Sequence, residues 1–301
     1  MAFHVYAGPW FHSGFGSIGS SGFAKLADLT ADRFHELGVA LKPGNRLERA
    51  REVAVDLHER RLVVAPDDAS AVVRASEAVR TIWDFSLVAR TAPRAHPPTV
   101  EKIQDMLKGA LLPADDRNAK GRDTQFELYV AALFAMGRVP IRGEEPDLRF
   151  VLDGQECGLA VKRLRSPKKL AARVSDGAAQ LQKNGIDGLV VVNVEPFLEG
   201  LPSEGTAAEL GRRFDERVAP LHGLLPKLAG KERVIGVLGV GTVLEWLFNG
   251  PRPRLNLGWF IQFRWFFDIP TEQARIEAFV EGFQARVEGR LAAVFGGEAQ
   301  A

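Results

Sequence analysis

Cysteine is almost absent from this chain of 301 residues: Cys157 stands alone, which excludes an internal disulfide framework and a multi-cysteine zinc cluster. A lone thiol suits a reducing compartment, so a cytoplasmic location is expected. Histidine is also scarce, and His4, His12, His35, His58, His96 and His222 show no metal-ligand spacing. Long apolar runs are missing. The longest, Val234 to Leu244, falls far short of the ~20 residues that span a bilayer. The start, MAFHVYAGPWFHSGFG, lacks the basic flank and apolar run of a signal peptide, and no membrane partner is expected. Net charge is only +1 and is balanced on both sides of Lys120, so bulk charge points to no partner. Internal repeats, low-complexity tracts, a G-x-S-x-G elbow and a Walker A loop are all lacking. GFGSIG, Gly14 to Gly19, matches the dinucleotide-binding pattern in form only: no βαβ unit follows and no acid stands at the right distance.

What remains is a globular composition, 46% hydrophobic and 26% charged, on the boundary between one large domain and two ordinary ones. The first 23 residues, rich in Gly, Ser and aromatics, read as irregular. Helices follow. Thr30 reads as the cap of a short one, and NRLERAREVAVDLHERRL has helical spacing. Val72, Ala75, Val79, Ile82, Trp83 and Ser86 form one stripe, and PTVEKIQDMLKGALL is a further short helix. PADDRNAKGRDT reads as a polar linker, which divides the chain into a mainly helical region 1–118 and an α/β region 119–301.

Beyond Gly121 the pattern alternates. FELYVAALFAMG reads as an apolar helix, VPIRG, DLRFVLDG and CGLAVKRL as short strands with a DG hairpin turn, and Ser166–Pro167 as the start of a helix to about Asn184. DGLVVVNVEP is nearly all apolar, as expected of a strand buried on both faces. A helix around 206–228, a strand around 234–240, the aromatic strand LNLGWFIQFRWFF and a last helix carrying Ile276, Phe279, Phe283 and Val287 on one face complete a mixed α/β core. The alternating aromatics of that late strand read as core.

Four polar positions stand out. Glu127 lies inside an apolar helix, where a carboxylate needs a partner. Asp147 opens a strand after Pro146. Lys162 lies on the next strand and, by alternation, shares a face with Ala160. Gln180 lies on the helix that follows. A hairpin brings Asp147 across from Ala160 and Lys162. Plain readings stand beside these: a cross-strand ion pair for Asp147 and Lys162, a charge at a helix rim for Glu127, an exposed helix face for Gln180, a small buried strand residue for Cys157.

EPDLRFVLDGQECGLAVKRLRS, preceded by FELYVAALF and followed by the Gln180 helix, resembles the PD-(D/E)xK nuclease superfamily over about Arg122 to Glu195. The resemblance implies a restriction-endonuclease-like mixed sheet flanked by helices. It also implies hydrolysis of DNA or RNA phosphodiester bonds with Mg²⁺ or Mn²⁺, in settings such as bacterial defence or repair. Asp147 would then be a metal ligand, Lys162 would orient or activate the attacking water, and Glu127 would support the metal. Gln180 would contact the site or the nucleic-acid backbone. A cation near the nucleophile and carboxylates holding Mg²⁺ suit that chemistry.

The pattern departs at position 160, where the family has an acid or Gln and this chain has Ala. Glu145, two residues before Asp147, is a candidate displaced ligand. A migrated carboxylate, an inactive descendant and a disabling substitution all remain open. From Cys157 to Ser175 there are Lys162, Arg163, Arg165, Lys168, Lys169 and Arg173 and no acid, whereas Glu144 to Glu156 holds five acids and Arg149. Arg163, Arg165 and Lys168 are the candidate phosphate contacts; the plain alternative is a solvated face. A protein that kept the fold and lost catalysis, binding nucleic acid or a protein, is the other functional expectation. The N-terminal helices would then set a protein partner or a homodimer.

Overall fold

The computed structural model describes residues 4–7, 16–17, 20–92, 100–152, 154–198, 216, 233–248 and 254–267, with 278, 279, 281–283, 285–287 and 290. In chain order the elements are β1 (His4–Ala7), β2 (Gly16–Ser17), α1 (Ser20–Glu36), α2 (Arg46–His58), α3 (Ala69–Thr91) and α4 (Val100–Met106). Then come α5 (Lys120–Met136), β3 (Ile141–Arg142), β4 (Leu148–Leu152), β5 (Gln155–Lys162) and α6 (Leu170–Lys183). β6 (Gly188–Asn193), α7 (Glu195–Leu198), β7 (Val234–Leu247) and β8 (Arg254–Phe267) follow. The fold is mixed α/β, and no described helix is long and apolar enough to cross a membrane. Compact units divide the chain as 1–14, 134–243 and 258–290 on one side, and 15–133, 244–257 and 291–301 on the other. The linker expected near residue 119 therefore falls inside the second unit.

In the sheet-bearing unit the strands run in the order β1-β8-β7-β6-β5-β4-β3. β3, β4 and β5 form an antiparallel meander, whereas β5 pairs parallel with β6, and β6 parallel with β7. Antiparallel strands need only a tight turn. Parallel β5 and β6 need a crossover, and α6 supplies it. The β4–β5 register sets Leu148 opposite Leu159 and Phe150 opposite Cys157. Gly154, with φ of +80°, turns the hairpin; Asp153 of the expected DG turn lies outside the described residues. All six residues of β6 are buried, as the apolar run closed by Asn193 predicts for its first five. Ala160, Val174, Ala178, Leu181, Val190 and Val192 share one core layer between α6 and the sheet. On the other face Phe150 and Phe283 each pack against Phe134, with centroids 5.3 and 5.2 Å from it. The helix expected around 206–228 lies outside the described residues apart from Glu216, as do Ile276 and the side chains of the aromatic strand.

In the helical unit, Asn45 caps α2 through Glu48 N at 3.1 Å, and Asp68 caps α3 through Ala71 N at 2.9 Å. Thr30 is no cap. α1 begins ten residues earlier at Ser20, and Thr30 Oγ1 donates back to Leu26 O at 2.7 Å, as a threonine inside a helix does. Nor is the amino-terminal segment wholly irregular, because β1 and β2 pair with β8. α3 carries the predicted stripe, and its second half is buried almost all round.

The interior of this unit is partly ionic. Arg46 is fully buried, with its guanidinium 5.2 Å from the Phe85 ring centroid and Nη2 donating to Met106 O at 2.6 Å. Burial, reinforced by nearby Arg122, lowers its pKa to about 9. Arg122 donates to Asp116, to Glu77 at 3.1 Å and to the carbonyls of Leu111 and Ala110 at 2.6 and 3.2 Å. This hub pins the polar stretch that reads as a linker, and with it the start of α5, into the helical unit. Charge repeats at a linker and at a buried clasp look alike in sequence; the burial of Arg122 separates them. Removing it takes the guanidinium from the buried Asp116 carboxylate, which keeps the Ala110 N–H, and leaves Glu77 to Arg80. Arg122→Ala is expected to lower the unfolding free energy by about 3–5 kcal/mol in urea denaturation, against under about 1 kcal/mol for Arg61→Ala at an exposed ion pair.

Candidate functional site

The site builds up from the packing of α6 on β5. A Cβ on Gly177 would lie 2.6 Å from Val190 Cγ1 and 3.4 Å from the Ala160 Cβ. Glycine is required there, and the methyl of Ala160 points at α6. Gln180 is three residues beyond Gly177 and so shares its face of the helix. On β5, Lys162 shares the face of Ala160. Extending the register by one residue sets Asp147, in the turn that enters β4, opposite Ala160.

Three side chains meet there. Asp147 Oδ2 accepts from Val161 N at 2.7 Å and from Lys162 Nζ at 2.9 Å, and Oδ1 accepts from Gln180 Nε2 at 3.0 Å. Lys162 Nζ also donates to Gln180 Oε1 and, at 3.2 Å, to Val161 O, so each ammonium proton has an acceptor. Gln180 Nε2 donates further to Pro146 O and, at 3.5 Å, to Glu145 Oε2. The side chains of Lys162 and Asp147 are 17% and 23% exposed, which leaves the pair reachable from solvent. The chain leaving β5 is tied down by buried Asn193, whose Oδ1 accepts from Leu164 N.

Of the residues expected at a site, the structure brings together Asp147, Lys162, Gln180 and Glu145. Glu127 belongs to the helical unit, where Lys102 of α4 donates to its carboxylate. The four described acids of 144–156 part company. Glu144 and Glu156 join Arg142 and Arg149 in an exposed network, and Arg149, with Arg142, holds the Glu156 carboxyl below its ordinary range. Arg163 is half-buried, Arg165, Lys168 and Lys169 are exposed, and Arg173 faces Asp176 at 3.4 Å. Sequence reasoning missed Asn193, although a single amide ending an apolar run was a signal. It also missed the backbone groups of Val161 and Pro146, which have no sequence signal.

Ala160 is fully buried in the core layer under α6. A longer side chain there would enter the α6 interface opposite Asp147. Among the described residues no three His, Cys, Asp or Glu side chains form a metal cage. The oxygen donors present are the Asp147 and Glu145 carboxylates and the Pro146 carbonyl, a hard set suited to Mg²⁺ or Mn²⁺ completed by water. No protein-family model, curated protein or solved structure matches this chain.

Two outcomes follow from the packing. Ala160→Glu is expected to cost about 3 kcal/mol or more of stability in denaturant unfolding, by overpacking and by burying a charge. Cys157 is buried, and burial first, then Asp187 and Glu156, pushes its thiol up to about 11. Its labelling by a chromogenic thiol reagent at pH 8 is expected to be about a hundredfold slower in the folded protein than in denaturant.

Proposed function

We propose that this protein is a metal-dependent phosphodiester hydrolase of the PD-(D/E)xK type, cutting DNA or RNA. The carrying observation is the meeting of Asp147, Lys162 and Gln180, from the entry of β4, the end of β5 and the crossover helix. The order α5-β3-β4-β5-α6-β6, an antiparallel meander followed by a parallel crossover, supports the same reading.

Asp147 and Glu145 would hold the cation, which supplies charge neutralisation at the phosphate and a more acidic bound water. Asp147 keeps its carboxylate oriented through Val161 N. Lys162 carries the positive charge placed to orient a water and to stabilise the charge developing on phosphorus-bound oxygens. Beyond β5, Arg165, Lys168 and Lys169 lead into the first turn of α6, which holds no acid. Cations oppose the helix dipole at that end, so helix stability does not explain them, whereas phosphate binding does. A second reading, a nucleic-acid-binding protein without catalysis, draws on Ala160 and on the full hydrogen bonding of Lys162.

The test is incubation of single- and double-stranded DNA and RNA with Mg²⁺, Mn²⁺ or EDTA. Cleavage is expected with metal and absent in EDTA, falling at least about 100-fold in Asp147→Asn and in Lys162→Met. Cleavage that survives EDTA overturns the metal dependence, and cleavage that survives Asp147→Asn overturns this site. Binding without any cleavage favours the second reading.

A further inference from the structure

Gln180 Nε2 has more acceptors than hydrogens. Its two protons face Pro146 O, Asp147 Oδ1 at 3.0 Å and Glu145 Oε2 at 3.5 Å, two of which are carboxylate oxygens. Three oxygens with two negative charges converging on one point make a donor set that a divalent cation satisfies better than a neutral amide. The other end of the same carboxamide takes a proton of Lys162.

We propose that the point held by Gln180 Nε2 is the seat of the divalent cation, and that Gln180 is its intramolecular competitor. A cation entering among Glu145 Oε2, Pro146 O and Asp147 Oδ1 expels the amide. Expulsion removes the Oε1 acceptor from Lys162, and one N–H of the ammonium turns free to hold a water or a phosphate oxygen. Gln180 thus couples cation loading to release of the lysine; it is a positioning residue, not a ligand. The inference rests on the metal-dependent reading of this site but not on its substrate.

The sign of one substitution tests it. Mn²⁺ binding to the full chain is followed by loss of the free-ion EPR signal, with Mg²⁺ competition, in wild type, Gln180→Ala, Gln180→Leu and Asp147→Asn, each checked for native circular dichroism. Freed of its competitor, the seat is expected to bind Mn²⁺ about tenfold more tightly in Gln180→Ala and Gln180→Leu, the equivalent of one hydrogen bond to a charged group. Asp147→Asn is expected to lose the binding. Affinity that is unchanged or weaker in both Gln180 variants overturns the proposal, as does Mn²⁺ binding that survives Asp147→Asn or is absent from wild type and both Gln180 variants. Tighter binding without nucleic-acid cleavage would leave the competition standing and remove the hydrolase reading alone.

Discussion

Helix α6 lies so close to β5 and β6 that a single methyl on Gly177 would overlap Val190. The rest of the site follows from that approach. It demands a small residue opposite, which Ala160 provides, and thereby leaves no place there for a longer side chain. It also sets the next turn of the helix near the sheet, so that Gln180 reaches Asp147 and Lys162. A longer residue at 177 would lift the helix and take the carboxamide away. The closed core layer of Ala160, Val174, Ala178, Leu181 and Val190 holds this spacing. Because interiors are packed as densely as crystals, the spacing cannot relax without a void.

Two polar networks make opposite use of burial. Around Arg122 the side chains are nearly sealed, and the guanidinium is satisfied by two carboxylates and two carbonyls. Desolvation makes such a network costly to open, which suits a clasp between the polar stretch and α3. Around Asp147 the charges keep about a fifth of their exposure, so partners can be exchanged for water or ions at modest cost. A network that must change partners during chemistry belongs in the second class. Arg46 marks the limit of the first: sealed beneath Phe85, it holds its charge less firmly than any solvated arginine.

Much of the proposed site was legible before the fold. Alternation put Lys162 on the face of Ala160, the hairpin put Asp147 opposite, and both follow from the strict two-residue period of a strand. The buried strand Gly188–Asn193 announced itself by the apolar run that Asn193 closes. Less was legible where one residue type serves two ends. Thr30 can cap a helix or bond back within one, and only the helix's true start at Ser20 decides between them. Asp116 and Arg122 compose a polar stretch that reads as solvent-exposed until the Ala110 N–H that meets Asp116 and the Ala110 and Leu111 carbonyls that meet Arg122 are located.

Local periodicity and composition, then, determined by themselves the mixed α/β class, the succession of helix, hairpin, strand, helix and strand along the chain, and the residues able to do acid, cation and amide work. Those properties depend on neighbours within a few positions along the chain. Tertiary structure alone decided that Glu145 and Asp147 turn towards Gln180 while Glu144 and Glu156 are spent on Arg142 and Arg149. It also decided that position 160 is closed and that a proline carbonyl joins the site. These outcomes depend on distances between segments far apart in sequence, set by how closely a helix can approach a sheet, and no local pattern encodes that distance.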